Sequence, residues 1–267
     1  MFLEHRVSCI ITTFNEPYEV LARSVRSALD CSSILSEILI VDDGSETDVS
    51  DRVALSLESS TRIPLKLLKK KNGGPSSARN FGIENAVGDW IIFLDADDIL
   101  LREGLEAKVN KVSALDSSLL GGIYGGFVWS HTREVQSFVV SSKPANTDSV
   151  GVIGLVPGGV PSYILRKSAL VEVGCFDKAL DFNEDIDLLL RMIDAGWKFY
   201  GVSQPGFIRT TSPSSHTRAN KRKALSGSRS FLRKAWNKEL LSKREVVRRY
   251  FVNLLSTLKA LVLDLSR

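Results

Sequence analysis

The chain has 267 residues, 43% hydrophobic and 25% charged, a balance that suits a soluble globular body and excludes disordered and fibrous classes. Its three cysteines, Cys9, Cys31 and Cys175, are far apart, lie in apolar or helical patterns and lack metal-ligand spacing, so they read as reduced core residues of a cytoplasmic protein. The net charge of +4 is uneven: residues 219–267 hold 13 Lys/Arg against 3 Asp/Glu, and the remainder holds 22 against 28, an acidic body with a basic tail.

Met1–Arg6 lacks the charged and apolar regions of a signal peptide, so none is expected, and no apolar run is long enough to cross a bilayer. Val7–Phe14 reads as a first strand, broken by Asn15-Glu16-Pro17. Tyr18–Leu29 carries helical apolar spacing, and Glu37–Val41 is a second buried strand closed by Asp42-Asp43-Gly44-Ser45. A helical pattern at Val49, Val53 and Leu57 precedes a third strand at Leu65–Leu68. Gly73–Ser77 is a loop whose serine is placed to cap a helix over Ala78–Ala86.

Trp90–Leu94 is five apolar residues in a row, a strand covered on both faces that runs into Asp95-Ala96-Asp97-Asp98. In extended backbone Asp95 and Asp97 would face the same side, and two such carboxylates repel unless a cation is nearby. A hard divalent ion carrying phosphates would explain the pair; an acidic turn that merely ends the strand would explain it equally well. The alternation of strands and helices predicts an α/β fold, a mostly parallel Rossmann-like sheet flanked by helices. Thr12–Glu16, Asp42–Ser45 and Asp95–Asp98 all fall at carboxyl ends of its strands, where ligands bind in such sheets. No glycine-rich dinucleotide or P-loop motif follows the first strand, so phosphates would be held through a metal ion.

After residue 105 the pattern loosens. Gly121–Val140 reads as an antiparallel pair turning at Ser130–Glu134, and residues 141–160 as a mobile loop over the site. Tyr163–Leu165 is a short strand and Lys167–Val173 a helix ending at Gly174. A further helix starts near Asn183 and ends at Gly196, with Glu184 and Asp185 in its first turn, where the helix dipole favours acidic residues for purely structural reasons. Asp187 and Arg191, four apart, read as a surface pair. Asp185, if aimed at the sheet ends, could take a proton from an acceptor hydroxyl, and an ordinary Asp is already ionised at neutral pH.

Val7–Glu16, Ile38–Ser45, Ala78-Arg79-Asn80, Phe93–Asp98, Gly174–Asp177 and Glu184–Arg191 together, in this order, resemble a family 2 glycosyltransferase of the GT-A fold over about residues 6–210. The resemblance implies a catalytic domain over 1–212, leaving 213–267 as a helical extension, and inverting sugar transfer from a nucleoside-diphosphate donor, by family habit UDP, with Mn²⁺ or Mg²⁺. Carried over by position, Thr12 and Asp42 would line the nucleobase pocket, with Glu16 and Arg79 at the nucleotide. Asp95 would lie near the ribose, Asp97 would hold the metal, and Asp185 would be the general base. The acceptor would be a glycan or lipid-linked glycan in cell-surface polysaccharide or lipopolysaccharide synthesis. Family members often carry Tyr-Arg-x-His after the last core strand; here Arg209 matches, Thr211 replaces the His, and His216 is the nearest imidazole.

The basic tail has apolar residues at helical spacing and reads as two amphipathic helices. They suit docking on an anionic membrane surface, which would make the protein peripheral at the cytoplasmic face. The alternative is that the apolar stripe packs on the body or on a second copy, giving a homodimer. No nucleic-acid-binding module is present. Two other functional readings are a non-catalytic nucleotide-sugar-binding scaffold and a sugar nucleotidyltransferase. The latter would want a glycine-rich loop that Thr12–Glu16 does not supply.

Overall fold

The computed structural model describes residues 5–59, 62–136, 159–180, 182–210, 230–235 and 237. In chain order the elements are β1 (Val7–Thr13), α1 (Tyr18–Leu29), β2 (Glu37–Asp42), α2 (Val49–Glu58), β3 (Leu65–Lys69), α3 (Pro75–Asn85) and β4 (Trp90–Asp95). There follow β5 (Ile99–Leu100), α4 (Arg102–Leu115), β6 (Leu120–Trp129), β7 (Val135–Gln136), β8 (Tyr163–Arg166), α5 (Lys167–Glu172), α6 (Glu184–Asp194) and β9 (Lys198–Arg209). The strands form one sheet in the order β3-β2-β1-β4-β8-β6-β9-β5, with β7 beside β6.

The first half of that sheet is parallel, as the alternating pattern predicts, with Thr12 in register between Val41 and Asp95. β1, β2 and β4 are buried nearly end to end because both of their faces are covered, whereas the edge strand β3, Leu-Lys-Leu-Leu-Lys, is partly exposed. One face carries Ile10, Val41 and Phe93 under α3, α5 and α6; the other carries Ile11, Ile40 and Leu94 under α1, α2 and α4. β8 runs antiparallel to β4 and β6, so the end of β6 returns to the edge where β1, β2 and β4 terminate. β9 lies parallel to β6, and β5, which follows the Asp95–Asp98 turn, pairs Ile99 with Ile208. The sheet thereby folds its last strands back onto the acidic turn.

β6 and β7 form the expected antiparallel pair, with Val128 opposite Val135. Three expectations change. α3 begins at Pro75, whose fixed φ and missing N–H suit a first helical position, and Gly74 precedes it without any side-chain cap. Ser76 and Ser77 are therefore inside the helix. The loosening after 105 is in fact α4, fourteen residues long. Its buried stripe is Gly104, Leu105, Lys108, Val109 and Val112, and the lysine hides the helical period from the sequence. A Cβ on Gly104 would collide with the Pro205 carbonyl oxygen, so glycine lets α4 lie directly on β9. Finally, Asp187 and Arg191 are not at the surface: Asp187 is fully buried, and its pair with Arg191 lies inside the fold.

Lys108 itself is fully buried in a slot that Gly206 leaves open, and its ammonium has no hydrogen-bond partner among the described residues. Burial holds its pKa down to about 7. The unfolded chain therefore binds the extra proton from about pH 7 up to the ordinary 10.5, and stability rises with pH across that window. Lys108→Met, of similar length and apolar, should stabilise the protein by about 2 kcal/mol at pH 7. The gain should shrink as the pH approaches 10. Thermal melts of both proteins across pH 6.5–10 read this directly (about 2–4 °C per kcal/mol).

Residues 230–235 are helical, and Phe231, Leu232 and Ala235 are buried in the same core as Leu188 and Leu189. For this turn of the basic tail the apolar stripe packs on the body. The rest of the tail, His216, and the loop at 141–158 lie outside the described residues. Among the described residues no helix is long and apolar enough to cross a membrane.

Candidate active site

The three loops at the carboxyl ends of β1, β2 and β3 are stitched into one floor. Asp43 N–H donates to Thr13 O (2.9 Å) and Lys70 N–H to Asp42 O (3.0 Å). Asn15, held at a positive φ of 55°, donates its N–H to Ser45 Oγ and accepts from Glu46 N–H, each at 2.9 Å. The Asp43 carboxylate accepts from the N–H groups of Gly73 and Gly74 (3.1 and 2.7 Å) and from Lys70 Nζ (2.5 Å). It fixes the loop that launches α3.

Asp42 does not join Thr12. Its carboxylate is buried on the α2 side of the sheet, accepting from Ser45 N–H at 2.8 Å and from the Ser50 hydroxyl. Period-two alternation explains this, since Thr12 and Asp95 are on the face toward α3 and Asp42 follows Ile40 on the other. The next residue, Asp43, turns to the glycine loop instead.

α3 carries Arg79 to the centre. The guanidinium is buried, lies over the Phe176 ring (5.5 Å), and spans two carboxylates: Asp95 Oδ1 at 3.2 Å and Glu184 Oε1 at 2.9 Å. One side chain thus ties the end of β4 to the first turn of α6. Burial alone would favour neutral Arg79, but the Asp95 and Glu184 charges outweigh it and raise its pKa.

Asp95 and Asp97 come together by a different route from the one the sequence suggests. Extended backbone stops at Asp95, and a turn closed by Asp98 N–H to Asp95 O (3.0 Å) brings Asp97 round. Burial and then the Asp95 charge raise the Asp97 pKa, and burial and then Asp97 raise that of Glu16. Asp98 is buried and accepts from Thr210 N–H at 2.9 Å, joining the turn to the end of β9. Burial and the Asp95 charge push its carboxyl well above the usual range. Arg209 opposes this from above, its guanidinium lying over Phe127 and Trp129 at 5.8 and 5.6 Å.

Among the described residues no group of three or more His, Cys, Asp or Glu side chains is arranged to hold a metal alone. The acidic turn nonetheless fits Mn²⁺ or Mg²⁺. Its donors are carboxylate oxygens, their mutual repulsion would be relieved by a divalent cation, and such ions are commonly held by one or two carboxylates plus substrate phosphates.

Asp185 lies in the first turn of α6, entered through Asn183 at a positive φ of 61°. It accepts from Ile186 N–H at 2.8 Å, and its other oxygen faces Gly159, whose Cβ would come within 3.4 Å. Burial, then the Glu184 charge, raises its pKa to about 7, against the pull of Arg79. The carboxylate is therefore poised near neutrality, where an ordinary Asp would be fully ionised.

The structure gathers Thr12, Arg79, Asp95 and Asp185 on one face, and Glu16 and Asp97 beside the turn at the same sheet edge. Glu184 joins them through Arg79, and Arg209 through the acidic turn. Glu184 reads from the sequence as a helix-dipole residue because its partner, Arg79, is 105 positions away.

The sequence model of the family described as Glycosyl transferase family 2 matches residues 8–170. The amylovoran biosynthesis glycosyltransferase AmsB of Erwinia amylovora is 28% identical over 214 residues, 74% of this chain and 67% of its own. An uncharacterized glycosyltransferase of Rickettsia conorii is 33% identical over 127 residues, a match that spans 48% of this chain but only 19% of that relative's length. The crystal structure of S. aureus TarS 1–349 in complex with UDP-GlcNAc shares the fold (TM-score 0.70, 16% identity, 94% of this chain and 73% of that one). With more than half its length matched by that family's model, the chain belongs to glycosyl transferase family 2.

Proposed function

We propose that the chain is an inverting, metal-dependent glycosyltransferase that moves a sugar from a nucleoside-diphosphate donor, UDP, to a hydroxyl of a glycan or lipid-linked glycan. The observation that carries this reading is the Arg79 bridge. By joining Asp95 to Glu184 it holds a strand-end carboxylate cluster and the Asp185 carboxylate on one rigid frame. Nucleotide binding alone would not need the second half of that frame.

Asp185 accepts the proton of the acceptor hydroxyl. As that oxygen bonds to the anomeric carbon, the sugar–diphosphate bond breaks on the opposite face and its electron pair leaves with the diphosphate. The configuration inverts. A divalent ion held by Asp97 would neutralise charge on the departing diphosphate. Arg209, close enough to oppose the raised pKa values of Asp97 and Asp98, adds a fixed positive charge beside them. TarS crystallised with UDP and with UDP-GlcNAc supports a uridine donor, and the name of AmsB supports a role in polysaccharide synthesis.

Calorimetric titration of UDP, GDP and dTDP, with and without Mn²⁺, tests the donor and metal assignments together. UDP should bind tightly only with Mn²⁺, and Asp97→Ala should weaken it by about 10-fold or more by removing one ion-held phosphate contact. Equal binding with and without the ion, or unchanged binding in Asp97→Ala, would remove the metal from the proposal. Binding of none of the three nucleotides would remove the donor.

A further inference from the structure

We propose that Lys234, from the basic tail, is a positioning residue for the helix that carries Asp185; this rests on the reading of Asp185 as the base. Asp187, two residues further along α6, is fully buried, and its carboxylate is divided between two cations. Arg191 Nε donates to Oδ2 at 2.8 Å, and Lys234 Nζ stands 2.7 Å from Oδ1, an ion pair outside hydrogen-bonding geometry. Lys234 also donates to Asp177 Oδ2 at 2.6 Å, which is the first cause of that carboxyl's lowered pKa. Asp177 in turn accepts from Ala179 N–H at 2.9 Å, and Arg191 reaches the carbonyls of Val173 and Cys175. Two cations and two carboxylates thus form a closed, neutral set behind α6.

The set is reinforced by packing. Phe231, Leu232 and Ala235, on the same turns as Lys234, are buried against the core that contains Leu188, Leu189 and Leu190 of α6. Asp187 N–H donates to Asn183 O at 2.9 Å, so the residue that the two cations hold is bonded through its backbone to the left-handed entry of the helix. Without Lys234, Asp187 keeps one cation and Asp177 loses its own. A buried charge left short of a partner is relieved by local movement, and the Asp187 backbone bond to Asn183 carries that movement to the entry that aims Asp185. Residues 230–235 therefore belong to the catalytic body and not to a separate appendage, and one of the charges of the basic tail is spent on the active-site helix.

The test compares the full chain with Lys234→Met, Lys234→Arg and Asp185→Asn. Hydrogen exchange is followed in peptides spanning residues 183–190 and, as a control, in β1, β2 and β4. Lys234→Met should lose protection at 183–190 by about tenfold while the control strands keep theirs. UDP release from UDP-glucose, UDP-galactose and UDP-N-acetylglucosamine should fall by about tenfold or more in kcat. UDP affinity should stay within about twofold, because Arg79 and the strand-end carboxylates are untouched, and Lys234→Arg should recover most of the loss. Unchanged exchange at 183–190, or equal loss of protection in every strand, would overturn the proposal, the latter because it marks a general stabiliser. Should Lys234→Met fail to fold, Lys234→Gln replaces it with the same criteria. If Asp185→Asn releases UDP as fast as the parent, the base assignment fails, while the exchange result still decides whether Lys234 holds the helix.

Discussion

Asp185→Asn is expected to lower kcat by about 10³-fold while leaving UDP affinity nearly unchanged, since only the proton acceptor is removed. In the unsubstituted protein, kcat/KM should rise with pH and reach half its plateau near 7, where burial and the Glu184 charge place the Asp185 carboxyl. Stability should run the other way. The folded state binds the Asp185 proton more tightly than the unfolded chain does, so its contribution is fully present below the ordinary 3.8 and is lost as the pH rises through about 7. An amide at this position carries no such charge, so the substituted protein should melt higher than the parent at pH 8 and close to it at pH 4. A protein that loses activity and stability together at pH 8 would point to a structural carboxylate. A flat pH–rate profile between 5.5 and 8 would remove Asp185 as the base.

That poise could not be read from the sequence, although the helix and its acidic first turn could. The apolar period of Ile186, Leu189 and Leu190 marks α6, and the strand–helix alternation from Val7 to Leu94 marks the parallel half of the sheet, because local periodicity reports which face is buried. What periodicity cannot report is the partner across the fold. Arg79 meets Glu184 across 105 positions, and Lys234 meets Asp177 across 57. The direction of Asp42 was legible in principle, since it alternates with Val41 and Ile40, but adjacent Asp42 and Asp43 leave open which one faces the ligand edge. α4 was obscured for a different reason: Lys108, a charged residue on a buried stripe, breaks the pattern that would have announced the helix. β9 holds Gly201, Pro205 and Gly206, which accompany the register shifts that let the strand bend against β6.

Arg79→Met should be among the most damaging single substitutions in the chain. The guanidinium is buried with carboxylates on two of its nitrogens, and the replacement leaves Asp95 and Glu184 facing one another with Asp185 nearby. Breaking a buried pair from one side costs about 3–5 kcal/mol, because the abandoned charge keeps its desolvation penalty and loses its partner; here that cost falls on Glu184, 15% exposed, while Asp95, 40% exposed, is solvated. For a domain of this size that is roughly 6–20 °C in Tm. Arg79→Lys should fall between the two, because a single ammonium keeps the charge but cannot reach both carboxylates as a planar fork does. Adding Glu184→Gln to Arg79→Met should restore part of the stability, as it deletes one of the abandoned charges, but not the activity, as the link from β4 to α6 is still cut. Thermal melts of the four proteins at pH 8 make the comparison. Loss of less than about 1 kcal/mol in Arg79→Met would mean that solvent reaches the pair and that Arg79 does not frame the site.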